Sequence, residues 1–290
     1  DIRVTAQDGT TQLPREVSGF DYAGHTGSLF IGTSGGTAFY IYYGNPSATE
    51  PAANSAYGKY NVWESAAKLV AHLEDVNDST VNQNNGTSSY PPSFGAGKLK
   101  NAGSFNGSNQ YISLPKGTGD YNVRGNLGLA ASESFALSIW YKGMDTASGG
   151  LVPGHGLIGW NNEDVWAGLH LNGGYATYVH YSGGVWKTNI VSSTLVADGN
   201  WHLITYVNIN NLGYLYIDGQ LQINGLSSAF DAPGLYLQPV DISKSYSNVY
   251  TSGTMDEARI YNRAPSPTEI ATMYANQNDP ASFWTTGSEE

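Results

Sequence analysis

Between residues 135 and 261 the chain repeats one unit: a short apolar or aromatic run, then a turn, with no helical pattern in between. The runs are Phe135–Lys142, Leu157–Trp160, Trp166–Leu171, Ala176–Tyr181, Trp186–Ser192, His202–Asn208, Tyr214–Ile217 and Met255–Tyr261, with Gly-Gly, Ser-Gly-Gly and Asp-Gly turns among them. Strands at this spacing without crossover helices close into an antiparallel sandwich or barrel. Alternation along Ala176–Tyr181 places Tyr178 and His180 on one face and Thr177, Val179 and Tyr181 on the other. In a sandwich one of those faces is core, so about half of the aromatics here are core by construction.

Composition agrees with a turn-rich sheet protein and removes several function classes. Gly is 36 of 290 residues, Tyr 21 and Trp 7, while charged residues are only 13%, against a typical ~25%. The formal net charge is −11 and no basic cluster is present, so no face can neutralise phosphates and no nucleic-acid partner is expected. There is no Cys, which excludes disulfide frameworks, zinc–thiolate sites and thiol nucleophiles. The six histidines, His25, His72, His155, His170, His180 and His202, form no zinc-binding spacing. No apolar run reaches the ~18 residues of a membrane-spanning helix, so no membrane insertion is expected.

The first sixty residues read as short strands: Ile2–Ala6 and Thr11–Val17 about an Asp8-Gly9 turn, then Ser28–Gly32 and Ala38–Tyr43, ended by Gly44-Asn45-Pro46. Residues 47–62 are linker-like in composition. One helix is expected, Ser266–Asn276: Ser266 as N-cap, Pro267 at the first position and Glu269 completing a capping box, with Ile270, Met273 and Tyr274 as its apolar face. The organisation expected is a partial small β-domain and linker over 1–60, a sandwich over 61–276 and an exit linker over 277–290.

Three stretches in fixed order, Asp198-Gly-Asn-Trp-His202, Tyr214-Leu-Tyr-Ile-Asp-Gly219 and Gly253-Thr-Met-Asp-Glu-Ala-Arg-Ile-Tyr-Asn-Arg263, resemble the closing half of a laminin-G-like domain of the concanavalin-A-like lectin/glucanase class. Gly103-Ser-Phe-Asn-Gly-Ser-Asn-Gln-Tyr-Ile-Ser-Leu-Pro115 and Asp78-Ser-Thr-Val-Asn-Gln-Asn-Asn-Gly86 are similar to its opening half, with Val81 standing where the family has Gly. Residues 1–17, 40–49 and Val62-Trp-Glu-Ser65 resemble a small uncharacterised β-domain that often precedes laminin-G-like domains in bacterial, archaeal and phage surface proteins. That domain normally begins some tens of residues earlier.

The resemblance implies an all-β fold, an antiparallel concanavalin-A-like jelly-roll sandwich behind a small N-terminal β-domain or arm, with one short C-terminal helix. It implies an extracellular, cell-surface or virion-surface location and a non-catalytic recognition or adhesion module of a multidomain or phage structural protein. The expected partner is a cell-surface or polymeric glycan; neighbouring structural protein subunits are the alternative, as for a decoration or stalk module. A divergent glycoside hydrolase is a third reading. Its two carboxylates would have to face one sugar, and the adjacent pairs Glu74-Asp75, Glu163-Asp164 and Asp256-Glu257 should point to opposite faces of a strand. A structural calcium ion is implied by position at Asp78, Asn106 and Asp256; Asp256 could instead cap a turn or pair with Arg259 or Arg263. Trp201 and His202 hold the family's core-packing position at a strand start. For the ligand, the loop Trp160-Asn161-Asn162-Glu163-Asp164-Val165-Trp166 and nearby Trp186 combine indoles with planar polar groups. Burying such a mixture is costly, so these tryptophans are expected to be exposed, as a sugar platform or a protein hot spot.

Overall fold

The computed structural model describes residues 2–33, 35–114, 134–147, 154–161, 165–182, 184–227 and 239–288. The N-terminal part contains β1 (Arg3–Ala6), β2 (Arg15–Asp21), β3 (Thr26–Ile31) and β4 (Phe39–Tyr42). They pair as two ribbons, β1 with β4 and β2 with β3. Asp8-Gly9 does turn the chain: Ala6 N–H donates to the Thr11 carbonyl and Leu13 N–H to that of Val4. Arg15 fastens this part internally with two hydrogen bonds to Glu50, at 2.8 and 2.9 Å.

The sandwich strands follow in chain order as β5 (Ala67–Ala71), β6 (Ser93–Ala96), β7 (Asn101–Asn106), β8 (Ile112–Ser113), β9 (Phe135–Lys142), β10 (His155–Asn161), β11 (Val165–Asn172), β12 (Tyr175–Ser182), β13 (Val185–Leu195), β14 (Trp201–Ile209), β15 (Leu212–Ile217), β16 (Gln220–Ser227), β17 (Val240–Ile242), β18 (Lys244–Ser245), β19 (Val249–Tyr250) and β20 (Ser252–Tyr261). One sheet has the order β13-β12-β11-β10-β17-β8 and the other β16-β15-β14-β9-β20-β7-β6, with β5 also paired to β20. This is the jelly-roll sandwich expected. Its core is filled from alternate positions of both sheets, including Leu137, Ile139 and Tyr141 of β9, Ala167, Leu169 and Leu171 of β11, and Ile204 and Tyr206 of β14. Tyr178 and Tyr206 stack across the two sheets with ring centroids 3.5 Å apart.

The outer face of the larger sheet carries the C-terminal helix, Pro267–Asn278. The helix begins as its sequence predicts: the Ser266 side chain accepts from Glu269 N–H, and the Glu269 carboxylate accepts from Ser266 N–H at 2.7 Å. Ile270 is buried against Ala136, Val207 and Tyr216. Trp140, wholly buried on that face, donates its Nε1–H to Gln277 Oε1 at 2.6 Å and stacks on Tyr274. A second short helix spans Pro280–Phe283, and Trp284 packs edge-on against Phe39 of β4 with centroids 5.2 Å apart.

β20 explains how an acid pair sits inside a strand. Met255, Ala258 and Ile260 all face the core, a spacing of three and then two that strict alternation cannot give. A register shift between Asp256 and Arg259 inserts the extra residue, and Glu257 takes φ 51°, the left-handed geometry of a bulge. Both carboxylates therefore find partners off the core, so the expectation that alternation sends them to opposite faces fails here. The His202 motif is equally concrete: its Nδ1 bonds Asp218 at 2.7 Å and its Nε2 reaches Asp198 at 3.2 Å. The turn before β14 and the turn between β15 and β16 are thus tied through one imidazole, whose pKa is raised chiefly by the bond to Asp218.

Replacing Ser266 by Ala should lower stability by about 1 kcal/mol, since one capping bond is lost. Urea denaturation of the two proteins measures this, and an unchanged midpoint would show that tertiary packing alone starts the helix.

Candidate functional site

The two tryptophans expected in an exposed loop are strand residues. β10 continues to Asn161 and β11 starts at Val165, and the register Trp160↔Ala167, Asn161↔Trp166 carries the ladder up to the hairpin. Trp160 shares the inward face with Ala167 and is 1% exposed, edge-on to Phe135. Trp166 faces outward yet is 4% exposed. It is sandwiched by Tyr181 and Tyr246, with Trp186 edge-on at 4.7 Å. Of the three, Trp186 alone reaches solvent, at 41%. The Asn161 side chain and residues Asn162, Glu163 and Asp164 lie outside the described residues.

The residues assigned to calcium do not fit an ion. Both oxygens of Asp78 accept protein donors: Val70 N–H and Thr80 N–H on one, Asn84 N–H and Thr80 Oγ1 on the other. Asn106 Oδ1 faces three backbone N–H groups, those of Ser108, Asn109 and Gln110, and so holds its own turn. Asp256 Oδ2 accepts from Lys98 N–H and Leu99 N–H, leaving Oδ1 as its one buried oxygen without a partner. Calcium takes six to eight oxygens. Among the described residues no group of three or more His, Asp or Glu side chains could hold a metal ion. Asp256 thus caps the turn at 98–99.

Beside Asp256 lies a buried charge set that joins the N-terminal ribbons to the sandwich. His72 Nδ1 meets Glu257 Oε1 at 2.5 Å, and its Nε2 stands 3.4 Å from Glu16 Oε2 of β2. Arg259 bonds Glu257 Oε2 at 2.5 Å and lies over the Trp63 ring, while Trp63 Nε1–H and Ser79 Oγ–H donate to Glu16. Phe30 of β3 stacks on His72 at 4.5 Å. Burial pulls the His72 pKa down, but Glu257 and Glu16 more than offset it and lift it to about 10. Burial pushes Glu257 up, and His72 and Arg259 bring it down to about 2. Asp256 lacks such a cation: burial, followed by the charge of Glu257, raises it to about 7.

Docked in this way, the ribbons stand over the outer face of the larger sheet and enclose a cleft of about 1590 Å³. Its floor is Ala136, Ser138, Thr205, Arg259 and Tyr261; one wall is the C-terminal helix with Trp284, and the other is β3 and β4. Tyr40 and Tyr42, each 47% exposed, stand at alternate positions of β4 with ring centroids 6.4 Å apart. Trp284, 36% exposed, is fixed by its Nε1–H bond to Asn276 Oδ1 at 2.9 Å. Asn276 and Gln277 give their carbonyls to Trp284 and Trp140 and keep amide NH₂ groups to donate. None of these positions was marked by sequence reasoning as a site. A signal existed in Phe39-Tyr-Ile-Tyr-Tyr43, where both faces of a short strand are aromatic or aliphatic, more than one core can cover.

Fold and register define a concanavalin-A-like jelly-roll sandwich. Residues 106–271, more than half of the chain, match the family described as the concanavalin A-like lectin/glucanases superfamily, of laminin-G type, and the chain belongs to it. Among solved structures it is similar to domain 4 of AbnA, a GH43 extracellular arabinanase from Geobacillus stearothermophilus, in complex with arabinotriose: TM-score 0.55, 18% identity, 73% of this chain and 100% of that one covered. It is also similar to the binding domain of Paraclostridial Mosquitocidal Protein 1, with TM-score 0.55, 14% identity and 72% and 52% covered. A third similarity is to the binding domain of botulinum neurotoxin DC in complex with rat synaptotagmin II, with TM-score 0.52, 11% identity and 73% and 52% covered. The chain thus spans about half the length of the toxin domains. At these identities the likeness is one of fold. No curated protein matches the sequence.

Three outcomes are expected. Trp160→Ala should cost about 3–5 kcal/mol in urea denaturation, as for a buried tryptophan, whereas Trp186→Ala should stay within about 1 kcal/mol. Because Asp256 binds its proton more tightly folded than unfolded, the stability it adds is present in acid and is lost as pH rises towards 7. The urea midpoint should therefore fall between about pH 5 and 7, above the range in which the paired carboxylates titrate, and Asp256→Asn should flatten that fall. A chelator should leave the melting temperature unchanged; a drop that Asp256→Ala abolishes would return the residue to metal ligation.

Proposed function

We propose that this chain is a non-catalytic recognition module whose ligand is a polymeric glycan, held in the cleft between the N-terminal ribbons and the C-terminal helix. The cleft itself carries the reading. At about 1590 Å³ it exceeds the ~300–1,000 Å³ of a small-molecule pocket. Its exposed rings, Tyr40, Tyr42 and Trp284, suit the C–H faces of sugars, and its amides and hydroxyls suit their hydroxyl groups. The placement is extracellular, at a cell or virion surface, where such polymers are met. The arabinotriose-bound domain of the arabinanase and the toxin binding domains support the reading that this fold is used for recognition. Against hydrolysis stand the two carboxylates that, among the described residues, line the cleft, both engaged: Asp8 by Thr10 and Thr11, Glu269 by Arg263 and Ser266.

A second reading, contact with neighbouring protein subunits, rests on a separate observation. Val191 and Leu195 of β13 and Leu221 and Leu226 of β16, all 41–49% exposed, stand on the two strands that end the sheets along one margin. Concentration-dependent association in sedimentation would favour it.

Retardation in gels cast with soluble polysaccharides, together with pull-down on insoluble ones, tests the first reading. Tyr40→Ala with Tyr42→Ala, or Trp284→Ala, should weaken retention tenfold or more, about 1.4 kcal/mol, with an unchanged melting temperature and no reducing sugar released by the parent protein. Retention that survives both changes, or that vanishes instead with Trp186→Ala, would move the site to the smaller sheet.

A further inference from the structure

Resting on that reading of the cleft, we infer that the glycan it selects is uncharged: a neutral polysaccharide, with uronic, sulfated and phosphorylated chains excluded. The observation is the state of every charged group on its walls. Among the described residues only Asp8, Arg259, Arg263 and Glu269 line it with charged side chains, and each is ion-paired or hydrogen-bonded within the protein.

Arg263 holds Glu64 through Nε and one terminal nitrogen, at 2.7–3.0 Å, and meets Glu269 at 2.6 Å. Glu269 also receives Ser266 N–H, as the capping box requires. Arg259 is closed off by Glu257 beneath it and by the Trp63 ring, and is 6% exposed. Asp8 accepts Thr10 N–H, Thr11 N–H and Thr11 Oγ1–H, which fix its own turn. A ligand carboxylate or sulfate entering the cleft would lose water and meet no cation without an acidic partner: at Arg263 it would face a guanidinium already shared by Glu64 and Glu269. The wider field acts in the same direction, since a net charge of −11 opposes the approach of a polyanion.

The surfaces left to a ligand are uncharged. They are the rings of Tyr40, Tyr42 and Trp284, the amide group of Asn276, and the hydroxyls of Thr268 and Thr272. Such groups discriminate by shape and hydrogen bonding, and binding through them should be nearly indifferent to salt.

Matched polymers separate charge from backbone: hydroxyethyl cellulose against carboxymethyl cellulose, and fully methyl-esterified polygalacturonate against its free acid. Gel retardation of the intact chain is read at about 20 and about 500 mM NaCl, which removes most screened charge attraction at the higher value. The expected result is retention by at least one neutral polymer, unchanged within about twofold between the two salts, and none by the acidic partner. Glu64→Gln frees Arg263 on an exposed surface and should add salt-sensitive retention by an acidic polymer. Retention of the parent protein by acidic polymers in preference to their neutral partners overturns the neutral specificity while leaving glycan recognition standing. Retention by none of the polymers, neutral or acidic, overturns both.

Discussion

The ion-paired set Glu16–His72–Glu257–Arg259 is the interaction on which the rest depends. Its members come from β2, the end of β5 and the bulge of β20, and all four are nearly buried. Two acids and two bases cancel, which is the condition for keeping charge out of water; removal of any one would strand its partner at a cost of about 3–5 kcal/mol. The same charges that would be costly singly become a position-specific joint between the N-terminal ribbons and the sandwich. The bulge at Glu257 belongs to this joint. It releases the carboxylate from the ladder and turns it towards His72 and Arg259, while Met255, Ala258 and Ile260 remain in the core.

The joint decides the shape of the functional surface. With β2 held by Glu16 and β3 stacked through Phe30 on His72, β4 stands away from the sheet and leaves the cleft between. On the far side the Ser266 capping box starts the helix, Ile270 and the Trp140–Tyr274 stack hold it to the outer face, and Trp284 reaches back to Phe39. The cleft is thus made by three separate parts of the chain on one sheet. One of the ion pairs that hold the walls, Arg259–Glu257, also pairs a charge on the floor of the cleft.

A different economy holds on the smaller sheet. Trp166 is stacked between two tyrosines and edge-on to Trp186, and its indole nitrogen is buried without a partner. Ring packing outweighs one unmade hydrogen bond there, because an aromatic face buries more apolar surface than its single N–H withdraws from water. That balance is why a tryptophan next to polar residues was not exposed, contrary to the argument from polar neighbours.

What the sequence by itself determined was periodicity and local chemistry. Eight of the strands from Phe135 to Tyr261, the Asp8-Gly9 turn and the Ser266–Glu269 cap were legible because each is set by residues within a few positions of one another; β16 was not among them. Strands such as β6, exposed along its whole length, and the short β17 carry too weak a pattern to be read. The tertiary structure decided which face each residue meets. Trp160 became core once β10 was seen to run to Asn161. Asp256 became a turn cap, and Asp78 an anchor for peptide N–H groups, because their partners lie across the fold or in the turning backbone. The cleft is the extreme case: Tyr42 stands more than two hundred positions before Arg263 and Trp284 in the chain. No local pattern encodes their meeting, because it is fixed by buried pairs such as His72–Glu257 that exist only after the sheets have packed.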